Sequence, residues 1–231
     1  MKKVLITGAT SGIGYATLKE LVNKYEVIFT YHHNEEKALE ITSKYHIKGY
    51  YLDLGDKESI EKLVDSIDNI DILINNAAIC LDNSFEDKTY IEFSKVVNVN
   101  LTGTYYLTKL LSKKINNGGN ILFISSTNGI DTYYIESIDY DASKAGVISL
   151  MHNFAKQLAP IRVNAIAPGW VDTEMNASLS DKFKKKEEEH ILLKRFASPE
   201  EISKVINFVI SDDASYINDT VIRVDSGVNN G

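Results

Sequence analysis

The sequence predicts an α/β fold: one doubly wound parallel sheet of about seven strands with helices on both faces. Three observations point to it. Short apolar runs alternate with amphipathic stretches along the whole chain. The runs are continuously apolar, as strands covered on both faces require. The first run ends in a turn carrying Gly8, Gly12 and Gly14, where a strand would pass into a helix.

Val4-Leu5-Ile6 is the first strand. Residues 13–24 carry Ala16, Leu18, Leu21 and Val22 at helical spacing. Val27-Ile28-Phe29 is the second strand, and Asn34 serves as N-cap of the next helix. Tyr50-Tyr51-Leu52 is the third strand. Asp56 caps a helix whose apolar face is Ile60, Leu63, Val64 and Ile67. Ile72-Leu73-Ile74 is the fourth strand, ending at Asn75-Asn76. A long helix fills much of 90–115, followed by a fifth strand at 121–124, a helix over 139–158 and a sixth strand at 162–166. A polar, mostly helical insertion runs from Glu174 to Ala197. Pro199 opens another helix in its first turn, and Val221-Ile222-Arg223-Val224 closes the sheet.

No repeat, low-complexity tract or flexible linker breaks this pattern, and 231 residues suit one α/β core. Residues 1–231 therefore read as a single domain. The net charge of -7 and the lack of a basic arm argue against nucleic acid as a partner. Lys184-Lys185-Lys186 runs into Glu187-Glu188-Glu189 and reads as a solvated helix face with offset ion pairs. Cys80 is the only cysteine, so no intrachain disulfide can form, which suits a reducing compartment. No stretch approaches the ~20 apolar residues of a membrane span, and no signal-peptide core follows Met1. A cytoplasmic protein with no membrane partner is expected. The histidines show no ligand spacing, so no metal is expected.

Tyr140 and Lys144 stand four residues apart and share a helix face. An ammonium held beside a phenol lowers the phenol's pKa, which fits it to exchange a proton with an alcohol near neutral pH. In Thr7-Gly8-Ala9-Thr10-Ser11-Gly12-Ile13-Gly14 the glycines let backbone approach a ligand, and the helix N-terminus offers free N–H groups to a pyrophosphate. A plain strand-to-helix loop is the alternative there. Singly, Asn100 reads as a helix-interior amide, Ser126 and Asp53 as turn residues, and Tyr140 as a packing residue beside Tyr133 and Tyr134.

In chain order, Thr7–Gly14, Asp53, Asn75-Asn76-Ala77-Ala78, Asn100, Ser126, Tyr140-x-x-x-Lys144, Pro168-Gly169 and Ser215–Asn218 make the chain resemble the short-chain dehydrogenase/reductase family. The resemblance spans essentially the whole chain and is to the compact type that includes 3-oxoacyl-carrier-protein reductases. It implies a Rossmann-like sheet and an NAD(P)(H)-dependent oxidoreductase passing hydride between nicotinamide and a carbonyl or secondary alcohol. Tyr140 would be the acid in reduction and the base in oxidation. Lys144 would bind the nicotinamide ribose and lower the Tyr140 pKa. Ser126 would hold the substrate carbonyl, and Asn100 would anchor a water linking Lys144 to solvent. The implied cofactor set is Gly8, Thr10, Ser11, Gly12, Ile13, Gly14, Tyr31, His32, Asp53, Leu54, Asn76, Ala77, Ala78, Tyr140, Lys144, Pro168, Gly169, Val171 and Thr173. Within it Asp53 would bind the adenine edge and Asn76 the adenosine ribose. Val171 and Thr173 would meet the carboxamide and phosphates.

The chain departs from the family pattern in places. Ala78 stands where glycine is usual. The stretch from Ser126 to Tyr140 is longer than usual, which leaves both Ser126 and Thr127 open, with Ser126 favoured because Ser125-Ser126 directly ends the strand. Ile79-Cys80-Leu81-Asp82 lacks the Thr-Arg-Asp of the carrier-protein reductases, and Lys156 is the only basic residue near the next helix end before Arg162. The substrate implied is a 3-oxoacyl thioester, with or without a carrier; a sugar, polyol or steroid ketone is the alternative. A non-catalytic nucleotide sensor or scaffold is a further alternative, although such relatives usually lose the Tyr or Lys kept here.

The second strand runs into Thr30-Tyr31-His32-His33 with no acid to repel a 2′-phosphate, which favours NADP(H) over NAD(H). An exposed histidine pair is the bland reading. Residues 174–197 would form a substrate lid, with Met175, Leu179, Phe183, Ile191, Leu192, Leu193 and Phe196 over the substrate, or else a structural helix pair. By family analogy the long helices and Gly227–Gly231 would build a homodimer or homotetramer.

Overall fold

Seven parallel strands lie in the order β3-β2-β1-β4-β5-β6-β7 in a computed structural model that describes residues 1–177 and 179–227. They are β1 (Lys3–Ile6), β2 (Glu26–Tyr31), β3 (Lys48–Tyr51), β4 (Ile70–Asn75), β5 (Ile115–Ile124), β6 (Arg162–Pro168) and β7 (Val221–Val224). The helices are α1 (Gly12–Leu21), α2 (Glu35–Tyr45), α3 (Lys57–Ser66), α4 (Tyr90–Val97), α5 (Thr104–Leu111), α6 (Ile138–Gln157), α7 (Asp181–His190) and α8 (Pro199–Ile210).

Helices cover both faces because the strands are apolar on both. Leu5, Leu73, Phe123 and Val163 pack with Leu63, Leu107 and Met151 of α3, α5 and α6. Ile6, Phe29, Ile74 and Ile166 pack with Leu18, Ile41 and Ile206 of α1, α2 and α8. The order reverses between β1 and β4, so a crevice opens at their carboxyl ends. The expected caps form: Asn34 accepts from the Lys37 N–H and Asp56 from Glu58. Pro199 opens α8 as expected, and Ser198 before it adds a full capping box with Glu201.

The long helix after Tyr90 forms as expected and carries a π turn over Asn98–Gly103 between α4 and α5. Gly103 lies against the chain there, and a Cβ on it would sit 2.0 Å from the Leu54 carbonyl oxygen. Three expectations need correction. β5 begins at Ile115, earlier than its apolar run, with a register shift against β4 between Ile70 and Ile72. In the 174–197 insertion a short helical turn spans Glu174–Asn176 and a helix spans Asp181–His190, and the rest is turn and a bridge between Val171 and Ala197. The lysines of α7 make no pair with its glutamates among the described residues: Lys184 approaches Asp172 at 3.8 Å, and Glu187 accepts from the Trp170 indole at 3.2 Å. Of the expected terminal interface at Gly227–Gly231, residues 228–231 lie outside the described ones.

Candidate active site

The dinucleotide side is built from the ends of β1, β2 and β4. Gly8 and Gly12 have positive φ, at 65° and 50°, where a side chain would be strained. A Cβ on Gly14 would stand 2.3 Å from the Gly8 carbonyl oxygen. Thr10 and Ser11 complete the turn, and Ile13 packs partly against the core. Ser11 caps α1 without a side-chain hydrogen bond, so the helix N-terminus has N–H groups to offer. One already holds an anion: Gly12 N donates to a carboxylate oxygen of Glu174 at 2.9 Å. A pyrophosphate fits this cradle by the same chemistry. Glu174 was missed in the sequence, because nothing local marks a residue so distant in the chain.

The Thr7 hydroxyl accepts from the Asn76 and Ala77 N–H groups at 2.9 and 3.0 Å, locking β1 to β4. The Asn76 amide donates to the carbonyls of Thr7 and Gly8, so its NH2 group is engaged with the glycine turn and only its oxygen is left for a ribose. Ala78 follows in the same segment, half-buried. His32 stacks on His33 with ring centres 3.8 Å apart, and its Nε2 lies 3.5 Å from an Asp53 carboxylate oxygen. An acid therefore does stand beside the end of β2, supplied by a different loop. Tyr31 meets Tyr51 edge to face, and Leu54 is buried next to Asp53. Pro168 ends β6, the Gly169 N–H donates to Val224, Val171 is buried, and Thr173 packs within reach of Gly12.

The reactive side sits on α6 and the end of β5. Lys144 is 4% exposed; its ammonium donates to the Ile124 carbonyl at 2.8 Å and lies 5.3 Å from the centre of the Tyr140 ring. Tyr140, Ser126 and Thr127 all line a cavity of about 380 Å³ with Cys80, Tyr134 and Trp170. Ser126 is the hydroxyl that acts on the phenol, lowering its pKa, which favours it over Thr127; its own hydrogen bonds are with Asn128. The expected lowering of the Tyr140 pKa is corrected. Burial pushes the phenol above its ordinary 10.0, Cys80 and the carboxylates of Asp141 and Asp82 add to the rise, and the Ser126 hydroxyl opposes it. Lys144 is itself held down to about 8 by burial.

Asn100 lies in the π turn and is buried. Its amide oxygen accepts from the Ile79 N–H, and its NH2 donates to the Ile79 carbonyl and to the Ser143 hydroxyl. The side chain thus joins the 79–88 segment to α6. Of the lid residues, Met175 lines the cavity, Phe183 packs edge-on against Tyr134 and Trp170, and Ile191 and Phe196 are buried. Leu192 and Leu193 are exposed.

A doubly wound sheet with a glycine turn at its switch point and a Tyr–Lys pair beside it defines a nucleotide-dependent oxidoreductase. The sequence matches the family described as Enoyl-(Acyl carrier protein) reductase over residues 8–229. It is 39% identical to a 3-oxoacyl-[acyl-carrier-protein] reductase of Aquifex aeolicus, over 98% of this chain and 97% of that one. It is 35% identical to a tropinone reductase homolog of Arabidopsis thaliana, over 98% and 91% of the two chains. A short chain dehydrogenase from Burkholderia cenocepacia in complex with NADP has a TM-score of 0.92 at 26% identity, over 99% and 98% of the two chains. The chain belongs to the short-chain dehydrogenase/reductase family and is an oxidoreductase of that family.

Proposed function

We propose that the protein reduces the 3-oxo group of an acyl thioester with NADP(H). The observation that carries this reading is the junction of two features: Tyr140 and Ser126 line a cavity with Lys144 5.3 Å from the Tyr140 ring, and Met175 and Asn176 of the same cavity follow Glu174, which accepts from Gly12 in the glycine turn. Held by its pyrophosphate at that turn, the dinucleotide would supply hydride. Tyr140 and Ser126 donate hydrogen bonds to the carbonyl oxygen as it gains charge, and Tyr140 delivers its proton there. Lys144 holds the ribose, and its charge favours the phenolate that the proton leaves behind. Asn100 contributes by fixing Ile79 against α6, and a water at the π turn would link Lys144 to solvent.

The 3-oxoacyl assignment is supported by the full-length likeness to the Aquifex reductase. A compact neutral ketone is the second reading. The cavity carries Asp82, Asp131 and Glu187 and, among the described residues, no Lys or Arg to meet an anionic handle. His32 at the end of β2 supports NADP(H) over NAD(H): it would turn from Asp53, the acid brought there by another loop, to the 2′-phosphate. Residues 174–197 act as the lid. The exposed apolar side chains Tyr90, Ile91 and Tyr105 on α4 and α5 support a homodimer or homotetramer. No helix among the described residues is long and apolar enough to cross a membrane, which accords with a cytoplasmic site of action.

The test is turnover of NADPH and NADH with acetoacetyl thioesters and a panel of ketones. Tyr140→Phe should lose at least about a thousand-fold in kcat. A Phe variant as active as wild type rejects the catalytic reading. Equal efficiency with NADH rejects the cofactor preference, and activity on ketones alone selects the second substrate class.

A further inference from the structure

Tyr140 stands between two aspartates, and each reaches a different wall of the substrate cavity. Asp139 is fully buried. One of its oxygens lies 3.0 Å from the Lys88 ammonium, which is itself 6% exposed. Lys88 also donates to the Leu81 carbonyl. The other Asp139 oxygen accepts from the Tyr140 N–H at 2.9 Å. A single carboxylate thus joins the 79–88 segment, which brings Cys80 and Asp82 to the cavity, to the backbone of the reactive tyrosine.

Asp141 faces the opposite way, since residues two apart on a helix point to different sides. Its Oδ1 accepts from the Asn128 amide at 2.6 Å and the Ser137 hydroxyl at 3.0 Å, and its Oδ2 accepts from the Tyr134 N–H at 3.1 Å. These contacts hold the 126–137 segment, which brings Ser126, Asn128 and Tyr134 to the cavity. The two walls also meet directly where the Asn83 N–H donates to the Glu136 carbonyl at 3.0 Å.

Burying two carboxylates costs stability. Exposed acids in the first turn would serve the helix dipole equally well. The arrangement is better suited to positioning than to capping.

We propose that Asp139, with Lys88, and Asp141 are positioning residues that set each wall of the substrate cavity independently against the Tyr140 hydroxyl and so select the substrate by size. The selection half rests on the 3-oxoacyl-thioester reading above; the clasp half does not.

The test pairs hydrogen exchange with kinetics on the full chain. In Asp139→Asn, amides of 79–88 should exchange about ten-fold faster while those of 126–137 stay within about two-fold. Asp141→Asn should do the reverse. Because Asp139→Asn leaves Lys88 as a buried unpaired charge, K88M/D139L removes both charges and carries the same expectation for 79–88. In all three variants the ratio of KM values for acetoacetyl and 3-oxooctanoyl thioesters should shift at least about five-fold, with NADPH affinity within about two-fold. Equal loosening of both walls, or of neither, overturns the clasp. An unchanged chain-length ratio overturns the selection. A wild-type protein that reduces no ketone defeats the functional reading instead, and the exchange arm still decides the clasp.

Discussion

Replacing Lys144 by methionine should make the protein more stable while disabling it. Lys144 is 4% exposed, and among the described residues its ammonium has one hydrogen-bond acceptor, the Ile124 carbonyl. Burial lowers its pKa from 10.5 to about 8. At about 1.36 kcal/mol per pH unit, keeping it charged below pH 8 costs on the order of 3 kcal/mol. Methionine relieves that cost but leaves the Ile124 carbonyl without its donor, which takes back about 1–2 kcal/mol. The net gain near pH 7 is about 1–2 kcal/mol, or a rise in Tm of roughly 2–8 °C for a chain of this size. The sign follows from proton binding. Between about 8 and 10.5 the unfolded chain holds a proton on Lys144 that the folded chain has released, so wild-type stability rises with pH relative to the variant. The advantage of methionine should therefore vanish at about pH 9 and turn into a deficit of about 1–2 kcal/mol near pH 10.5, where only the lost hydrogen bond remains. Urea denaturation of both proteins at pH 7 and pH 10 measures this as a double difference, in which other titrating groups cancel. A variant less stable at pH 7, or a difference that does not change with pH, refutes the argument.

Three further outcomes follow from the site. The kcat/KM for ketone reduction should fall above about pH 8 as free Lys144 loses its charge, and a profile flat to pH 10 would show that the charge is not required. Glu174→Gln should bind NADPH about two- to five-fold more tightly by fluorescence titration, because a carboxylate no longer competes for the Gly12 N–H; weaker binding would mean that Glu174 helps hold the dinucleotide. Gly103→Ala should lower Tm by roughly 6–12 °C, since overpacking on backbone commonly costs about 3 kcal/mol and the new methyl would meet the Leu54 carbonyl at 2.0 Å. A Tm within about 2 °C of wild type would show that the π turn relaxes freely.

The sheet, its helices and the place of the reactive pair were legible in the sequence. Strands buried on both faces must be apolar throughout, and caps such as Asn34 and Asp56 act within one turn of chain. The spacing of Tyr140 and Lys144 likewise sets one helix face without help from the rest of the fold. The π turn between α4 and α5 was not legible, because it depends on how Gly103 meets Leu54 from a distant loop.

Tertiary structure alone decided the electrostatics. Spacing argued that Lys144 would lower the Tyr140 pKa, but burial among Cys80, Asp82 and Asp141 raises it. The same holds for Glu174 on the Gly12 amide, Lys88 on Asp139, and Asp53 beside His32. Local periodicity determines which face a side chain occupies. Solvent exclusion and partners brought from far along the chain determine what its charge costs there, and that is where the chemistry of this protein is set.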